Sequence, residues 1–497
     1  MTAVSGGVIT RKGGTLKLLS NEEIYEIDVS TLELLEHVGV QVESEEALKL
    51  LQDMGAAVDF KTKRVRIGPD LVRESVRKTT KSFVLHARNP ERSLRIENDY
   101  VYFMPGGLPT VVISLEGKRR PATLNDVGDL TKLYDYFEYV DVAAGGVFPT
   151  DIPEPIHHVH AYLAKLENTD KVTFYGYFAR GRIVAKDLIE MASVVAGGLE
   201  ELRRKPVIMG WENPISPLSH GKAQTEMVLE FAKLGLPIQI APAIQAGATG
   251  PVSLAGVLVQ QNAEVLSGIV IALSAAEPGR SPPIIYGAVP ALADMRYGSM
   301  VYGAAEPALM NVASVQLARY YGLVCRGNGG TTESKTVDAQ AGFESGITLL
   351  MAALGGANLL ASASGGSLEP GVGALSYEKA VIDNDIAGMV SRILEGITVS
   401  DETLARDVIS AVGPGGHFLS QEHTRKLFET EHFIPELSDR TAPESWVKAG
   451  AKDIREVARE KAKQILKAHV PPPLDKTIRQ ELLEIVKRVE RRELKKG

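Results

Sequence analysis

Four short apolar runs decide the fold: Pro237-Ile-Gln-Ile-Ala241, Pro283-Ile-Ile-Tyr-Gly287, Leu323-Val-Cys-Arg-Gly327 and Ala357-Asn-Leu-Leu-Ala-Ser362. Each ends in a glycine or a small residue, and a long amphipathic stretch separates it from the next. Such runs predict strands of a parallel sheet covered on both faces, with helices as the crossovers. The ends of parallel strands share one mouth. Arg326, Tyr286 and the loop Gly327-Asn-Gly-Gly-Thr-Thr332 are therefore predicted to be neighbours there.

Working outward, the alternation is regular from Thr123. Helices over 125–137, 156–168, 182–197, 220–234, 252–276, 306–321 and 338–354 precede strands over 139–144, 171–176, 206–210, 237–241, 283–287, 323–326 and 357–361. About seven repeats predict a TIM-like (β/α)8 barrel in the α/β class. The eighth strand is expected at 408–412 or at 111–115. An open doubly wound sheet is the alternative, but the Gly-x-Gly-x-x-Gly turn after a first strand is absent. Residues 1–120 read as an N-terminal α+β elaboration, with Ser20-Asn-Glu-Glu23 spaced as a capping box. The barrel occupies 121–440. Residues 441–497 form a C-terminal helical arm, broken at Pro471-Pro-Pro473.

The charge balance narrows the function. A formal net charge of −7 argues against broad nucleic-acid binding, which needs a basic surface. No export leader precedes Ser20, and no apolar run is predicted to span a bilayer, so the expected location is cytoplasmic with no membrane partner. A single cysteine, Cys325, rules out an internal disulfide and a multi-thiolate metal centre. His157, His158 and His160 lack the i, i+4 spacing of a zinc helix, so no metal is expected. Neither a phosphate-binding Gly-x-x-x-x-Gly-Lys-Ser/Thr loop nor a Gly-x-Ser-x-Gly elbow occurs.

Candidate site residues follow from chemistry at strand ends. Arg326 closes a strand before a glycine-rich loop, where a guanidinium makes a bidentate carboxylate ligand. Pairing with Asp294 or Glu333 is its structural alternative. Trp211-Glu-Asn-Pro-Ile-Ser-Pro-Leu218 reads as a rigid wall carrying one carboxylate, or as a purely structural loop. Aromatic faces with a carboxylate suit a quaternary ammonium ion, which donates no hydrogen bond and is held by ring quadrupoles. The aromatics offered are Tyr102, Phe174, Tyr175, Tyr177, Trp211, Tyr286 and Phe343, and the acids Glu212, Glu306, Asp338 and Glu344. Tyr102, Trp211, Tyr286 and Phe343 are selected for the cage, and Glu212 or Glu344 for charge balance.

A family resemblance adds to this reading. Asn213-Pro-Ile-Ser-Pro-Leu218, Ala246-Gly-Ala-Thr-Gly-Pro-Val252, Asn262-Ala-Glu264, Asp294-Met-Arg296, Asp338-Ala-Gln-Ala-Gly-Phe-Glu344 and Gly415-Gly-His-Phe-Leu419 resemble the trimethylamine/glycine betaine corrinoid methyltransferases, in order across the chain. The resemblance implies transfer of a methyl group from an amine to Co(I) of a separate corrinoid protein. The corrinoid belongs to that partner, because the Asp-x-His-x-x-Gly cobalamin signature is missing here. Trimethylamine-specific members use pyrrolysine near the position of Thr331, whereas this chain holds standard residues. A quaternary amine leaves without further activation, so a betaine is the expected substrate, with glycine betaine leading and proline betaine and carnitine behind it. Glycine-betaine members place a histidine after the Ala-Asn-Leu strand. Ser362 stands there instead and is expected to donate a hydrogen bond to the substrate. No catalytic acid or base is assigned. A homo-oligomer is expected. The alternatives are a non-catalytic betaine-binding or regulatory protein, and a methyltransferase for another methylated amine.

Overall fold

A computed structural model describes residues 8–97, 99–177 and 179–494. Six parallel strands form its central sheet: β1 (Tyr102–Phe103), β2 (Gly210–Glu212), β3 (Ile238–Ile240), β4 (Ile284–Gly287), β5 (Val324–Asn328) and β6 (Leu359–Ala361). Their spatial order is β1-β6-β5-β4-β3-β2. From β2 to β6 each strand is followed in space by the next in sequence. The crossovers are the helices Lys222–Lys233, Leu254–Ser274, Ala305–Tyr320 and Ala339–Gly355, which cover the sheet's outer face. Strands β3 to β6 are buried along their whole length, as their apolar composition predicts. Close packing leaves no room for a side chain at Gly287, where a Cβ would stand 2.5 Å from the Ala241 Cα on the neighbouring strand.

Beyond β1 two more segments join in parallel. The Asp141 amide donates to the Phe103 carbonyl (2.9 Å) and the Ala143 amide to that of Val172 (2.8 Å). Between the Val172 segment and β2, no backbone hydrogen bond is found among the described residues. The rings of Phe174 and Trp211, 6.4 Å apart, bridge that gap instead.

Several expectations are corrected. Residues 408–412 lie in the helix Arg406–Val412, not in a strand. Residues 111–115 contribute Val111–Ile113 to a separate sheet, paired with Arg119–Pro121 and Ala374–Ser376. The strand beside β6 is β1, from the stretch read as an N-terminal elaboration. The strand expected at 206–210 begins only at Gly210. The C-terminal helices Ile454–Ala468 and Lys476–Leu494 do not stand apart from the body. They bury an apolar stripe on it (Ala458, Ala462, Ile465, Leu482, Ile485, Val489), and Arg492 binds Asp187 with two hydrogen bonds of 2.9 and 2.6 Å.

One helix, Leu254–Ser274, is long and apolar enough to cross a membrane, but its apolar window is 78% buried inside the fold. It is a core helix. The segment 397–430 does the opposite. It leaves the helix Tyr377–Glu395 and returns where Arg392 Nε donates to the Glu431 carbonyl (3.1 Å), with no buried residue between. Ile397 is 89% and Leu419 87% exposed.

Lys171 ties the Val172 segment to the helix Leu124–Tyr136. Its buried ammonium donates to the carbonyls of Tyr134, Phe137 and Val140 at 2.9, 2.7 and 2.6 Å. Those carbonyls lie at and just beyond a helix C-terminus, where a cation is favoured. Burial nevertheless lowers its pKa to about 8. Replacing Lys171 with Met removes three hydrogen bonds and leaves buried carbonyls without a donor. The expected cost is about 2–4 kcal/mol, read as a lower thermal unfolding midpoint. An unchanged midpoint contradicts the anchoring role.

Candidate active site

The carboxyl ends of the strands open into a cavity of about 640 Å³. Arg326 and Asn328 of β5 reach it from one side, with Ser362 just past β6. Trp211, Asn213 and Phe174 form a second wall, Phe148 and Tyr177 a third, and Tyr302 lines it too. Gly107, Leu108, Pro109, Ala179, Gly371 and Val372 form the rim of the lining. These six are solvent-exposed or half-buried and uncharged, so the rim is apolar and open.

Arg326 dominates the electrostatics. It is 5% exposed, and its Nη1 donates to the Ala288 carbonyl (3.0 Å) while Nε has no partner. No carboxylate among the described residues lies within 4.0 Å of it. The sequence alternatives are otherwise engaged: Asp294 pairs with Arg296 (2.7 Å), and Glu333 accepts from the amides of Tyr302 and Gly303 (2.7 and 2.9 Å). Burial lowers the Arg326 pKa to about 10, which leaves it cationic at neutral pH. Its guanidinium carbon stands 5.5 Å from the Trp211 ring centroid. Asn213 holds that indole: its Oδ1 accepts from Trp211 Nε1 while its Nδ2 donates to the Ala241 carbonyl (2.7 Å).

The third wall is braced from behind. The His157 ring sits 4.2 Å from Phe148 and 4.1 Å from Tyr177, edge-on to the latter. Its Nδ1 donates to the Glu154 carbonyl (2.6 Å), and burial lowers its pKa to about 4, so it is neutral in ordinary buffers. The Tyr177 hydroxyl donates to the Glu154 carboxylate. No Asp or Glu among the described residues lines the cavity itself.

The loop after β6 is strained. Ser362, Ser364, Glu369 and Val372 all have positive φ (68°, 55°, 67° and 58°), a region that L residues avoid and β-branched ones most of all. Ser362 Oγ donates to Asn328 Oδ1 (3.2 Å). Gly106 packs directly on it, since a Cβ there would lie 2.7 Å from the Ser362 amide.

Of the residues singled out from sequence, Arg326, Trp211 and Ser362 line the cavity, as do Phe174 and Tyr177 from the wider aromatic set. The other five do not. Glu212 and Tyr286 share one register row with Ile240 and Cys325 and face the outer helices, one residue out of phase with Trp211. Glu212 contacts His220 Nδ1 (2.7 Å), and Tyr286 donates to Asn262 (3.1 Å). Tyr102 lies two residues below Met104, a lining residue on the same face, and donates to the Arg95 carbonyl (3.0 Å). Phe343 is 56% exposed on an outer helix. Glu344 accepts from Thr332 Oγ1 and the Glu333 amide. Thr331 is buried and outside the lining. Asn328 lies in the loop expected at the mouth, whereas Phe148 and Tyr302 were not singled out from sequence. Phe148 and Tyr302 sit in irregular loops, where periodicity carries no signal.

Glu212, His220 and Ser267 are linked like a nucleophile triad, with His220 Nε2 2.8 Å from Ser267 Oγ. All three are fully buried, and Ser267 donates to the Ala263 carbonyl of its own helix. No substrate reaches them, so they form a structural network.

Comparison with known proteins fits this geometry. Residues 2–494 match the trimethylamine methyltransferase (MTTB) family. A glycine betaine methyltransferase of Desulfitobacterium hafniense (strain Y51) is 39% identical over 93% of this chain and 94% of that protein. The trimethylamine methyltransferase MttB of D. hafniense (strain DSM 10664 / DCB-2) is 36% identical over 98% and 97%. Among solved structures, the Methanosarcina barkeri monomethylamine methyltransferase MtmB aligns over 93% of this chain and 96% of its own, with a TM-score of 0.45 and 11% identity. The chain belongs to the trimethylamine methyltransferase (MTTB) family.

Proposed function

We propose that this methyltransferase removes a methyl group from a carboxylated quaternary amine, a betaine, and delivers it to the cobalt of a separate corrinoid protein. Arg326 carries the reading: a buried, unpaired guanidinium in a cavity walled by aromatic rings and lined by no acid. A betaine supplies both halves of the missing chemistry. Its carboxylate neutralises Arg326 through charge-assisted hydrogen bonds, and its ammonium rests on ring faces. Trimethylammonium brings a second cation beside Arg326 and no anion, which disfavours it. Similarity to a glycine betaine methyltransferase supports the same class. The cavity volume falls within the range of small-molecule sites, so proline betaine and carnitine remain candidates with glycine betaine.

The corrinoid supplies the cobalt nucleophile when its carrier docks. The uncharged rim at Leu108, Pro109 and Val372 fits the flat face of such a ring. The chain's own task is grip and exclusion of water. Arg326 fixes the carboxylate, the aromatic walls confine the methylated nitrogen, and no proton is needed because that nitrogen already carries charge. Ser362 and Asn328 offer polar atoms beside the carboxylate. We read the eight parallel segments as one barrel whose last seam is filled by Phe174 and Trp211. The proposed compartment is the cytoplasm, where a reduced cobalt nucleophile survives.

The homo-oligomer is read as two copies meeting through the segment 397–430. Its support is the run of exposed apolar side chains Ile397, Val399, Ile409, Phe418 and Leu419. Just after that segment, Phe433 packs edge-on against Tyr139 (6.3 Å), at the start of a parallel segment and thus away from the cavity mouth.

Two outcomes are expected. Arg326→Ala should lower kcat/KM for a betaine donor by about 10²- to 10³-fold, measured as methylation of the corrinoid partner. Efficient turnover of trimethylamine by the unmodified chain, with none of any betaine, rejects the substrate class. The unmodified chain should sediment as a dimer or larger, and the double variant Ile409→Asp, Leu419→Asp as a folded monomer. A monomeric unmodified chain refutes the assembly.

A further inference from the structure

Arg326 and a substrate ammonium pose a problem of sign. The lining offers the ammonium no carboxylate, and Trp211, the best ring for a cation, already faces Arg326. Phe174 adjoins Trp211 on that same wall. The rings remote from this arrangement are Phe148 and Tyr177, 5.8 Å apart and both backed by the uncharged His157 ring. Only one of them is tied to an acid. The Tyr177 hydroxyl donates to the Glu154 carboxylate, which withdraws the proton from the phenol oxygen and enriches the ring in electrons. The Glu154 main chain is anchored, since its carbonyl accepts from His157 Nδ1, while the carboxylate stands at the exposed edge of the wall. One short motif thus supplies the ring with its brace and its counter-charge.

We propose that Glu154, acting through Tyr177, makes this cavity select a cationic head group over a neutral one of identical shape. The substrate then lies with its carboxylate at Arg326 and its N-methyl groups against the Phe148–Tyr177 wall. Glu154 is a positioning residue, outside the cavity, and Tyr177 is the residue that touches substrate. The inference rests on the betaine reading above and adds its orientation and the origin of its charge selectivity.

Two ligands of the same outline separate the effects: glycine betaine and 3,3-dimethylbutanoate, in which carbon replaces the charged nitrogen. Their affinities for the unmodified chain and for Glu154→Gln, Tyr177→Phe and Arg326→Ala are measured by titration calorimetry. The unmodified chain should prefer the betaine. Glu154→Gln should weaken the betaine about 5- to 20-fold and leave 3,3-dimethylbutanoate, whose head group is uncharged, within about twofold. Tyr177→Phe, which keeps the ring and loses the hydroxyl, should do the same. Arg326→Ala should weaken both ligands alike. Glu154→Gln weakening both ligands equally, or neither, overturns the proposal while Arg326→Ala still upholds the betaine reading. Equal affinity of the unmodified chain for the two ligands overturns it too. Failure to bind either ligand removes the betaine reading, and this inference with it.

Discussion

An arginine without a counter-ion sets the terms for the whole strand-end face. Removing a guanidinium from water costs several kcal/mol even after relaxation, and a single backbone carbonyl repays little of that. The chain keeps Arg326 in place with the Ala288 carbonyl, the Trp211 indole and the side chain of Tyr302 nearby, and none of these neutralises it. An anionic group reaching the cavity therefore gains a charge-assisted partner at Arg326. A buried cation of that kind favours ligands bearing a carboxylate and penalises simple amines.

Buried charges elsewhere are treated differently, and the contrast identifies the exception. Arg11 meets Asp141 at 2.7 Å and Lys379 meets Asp383, both pairs fully enclosed. Lys171 has three carbonyls. Lys165 has only the Ala143 carbonyl at 3.3 Å, but burial lowers its pKa to about 7, so it sheds its proton near neutrality and escapes the cost. Arg326 has no such escape, because its pKa of about 10 still keeps the charge.

The legible part of the fold was the part with strong periodicity. Runs at 237–241, 283–287, 323–327 and 357–362 are strands because nothing polar interrupts them, and their ends placed Arg326 correctly at the mouth. Parity was not legible. A strand of three or four apolar residues buried on both faces has no amphipathic signal to say which side chain points inward, so Tyr286 and Glu212 were drawn to the site and belong to the helix-facing row. The stretch 100–104 reads as a strand, but it was assigned to the N-terminal elaboration because β1 is two residues long and runs straight into Pro105-Gly106-Gly107, which reads as a turn. Phe148 and Tyr302 come from loops whose course depends on tertiary contacts alone.

The left-handed residues after β6 have a consequence for how this cavity can change. A loop whose backbone is held at unfavourable angles by surrounding packing cannot reshape itself around each visitor; it acts as a rigid gauge. Ser362 and Val372 at its two ends therefore hold the cavity mouth at a constant width. A change of ligand is then left to the rings beneath, which can be exchanged one at a time while the mouth above them keeps its shape.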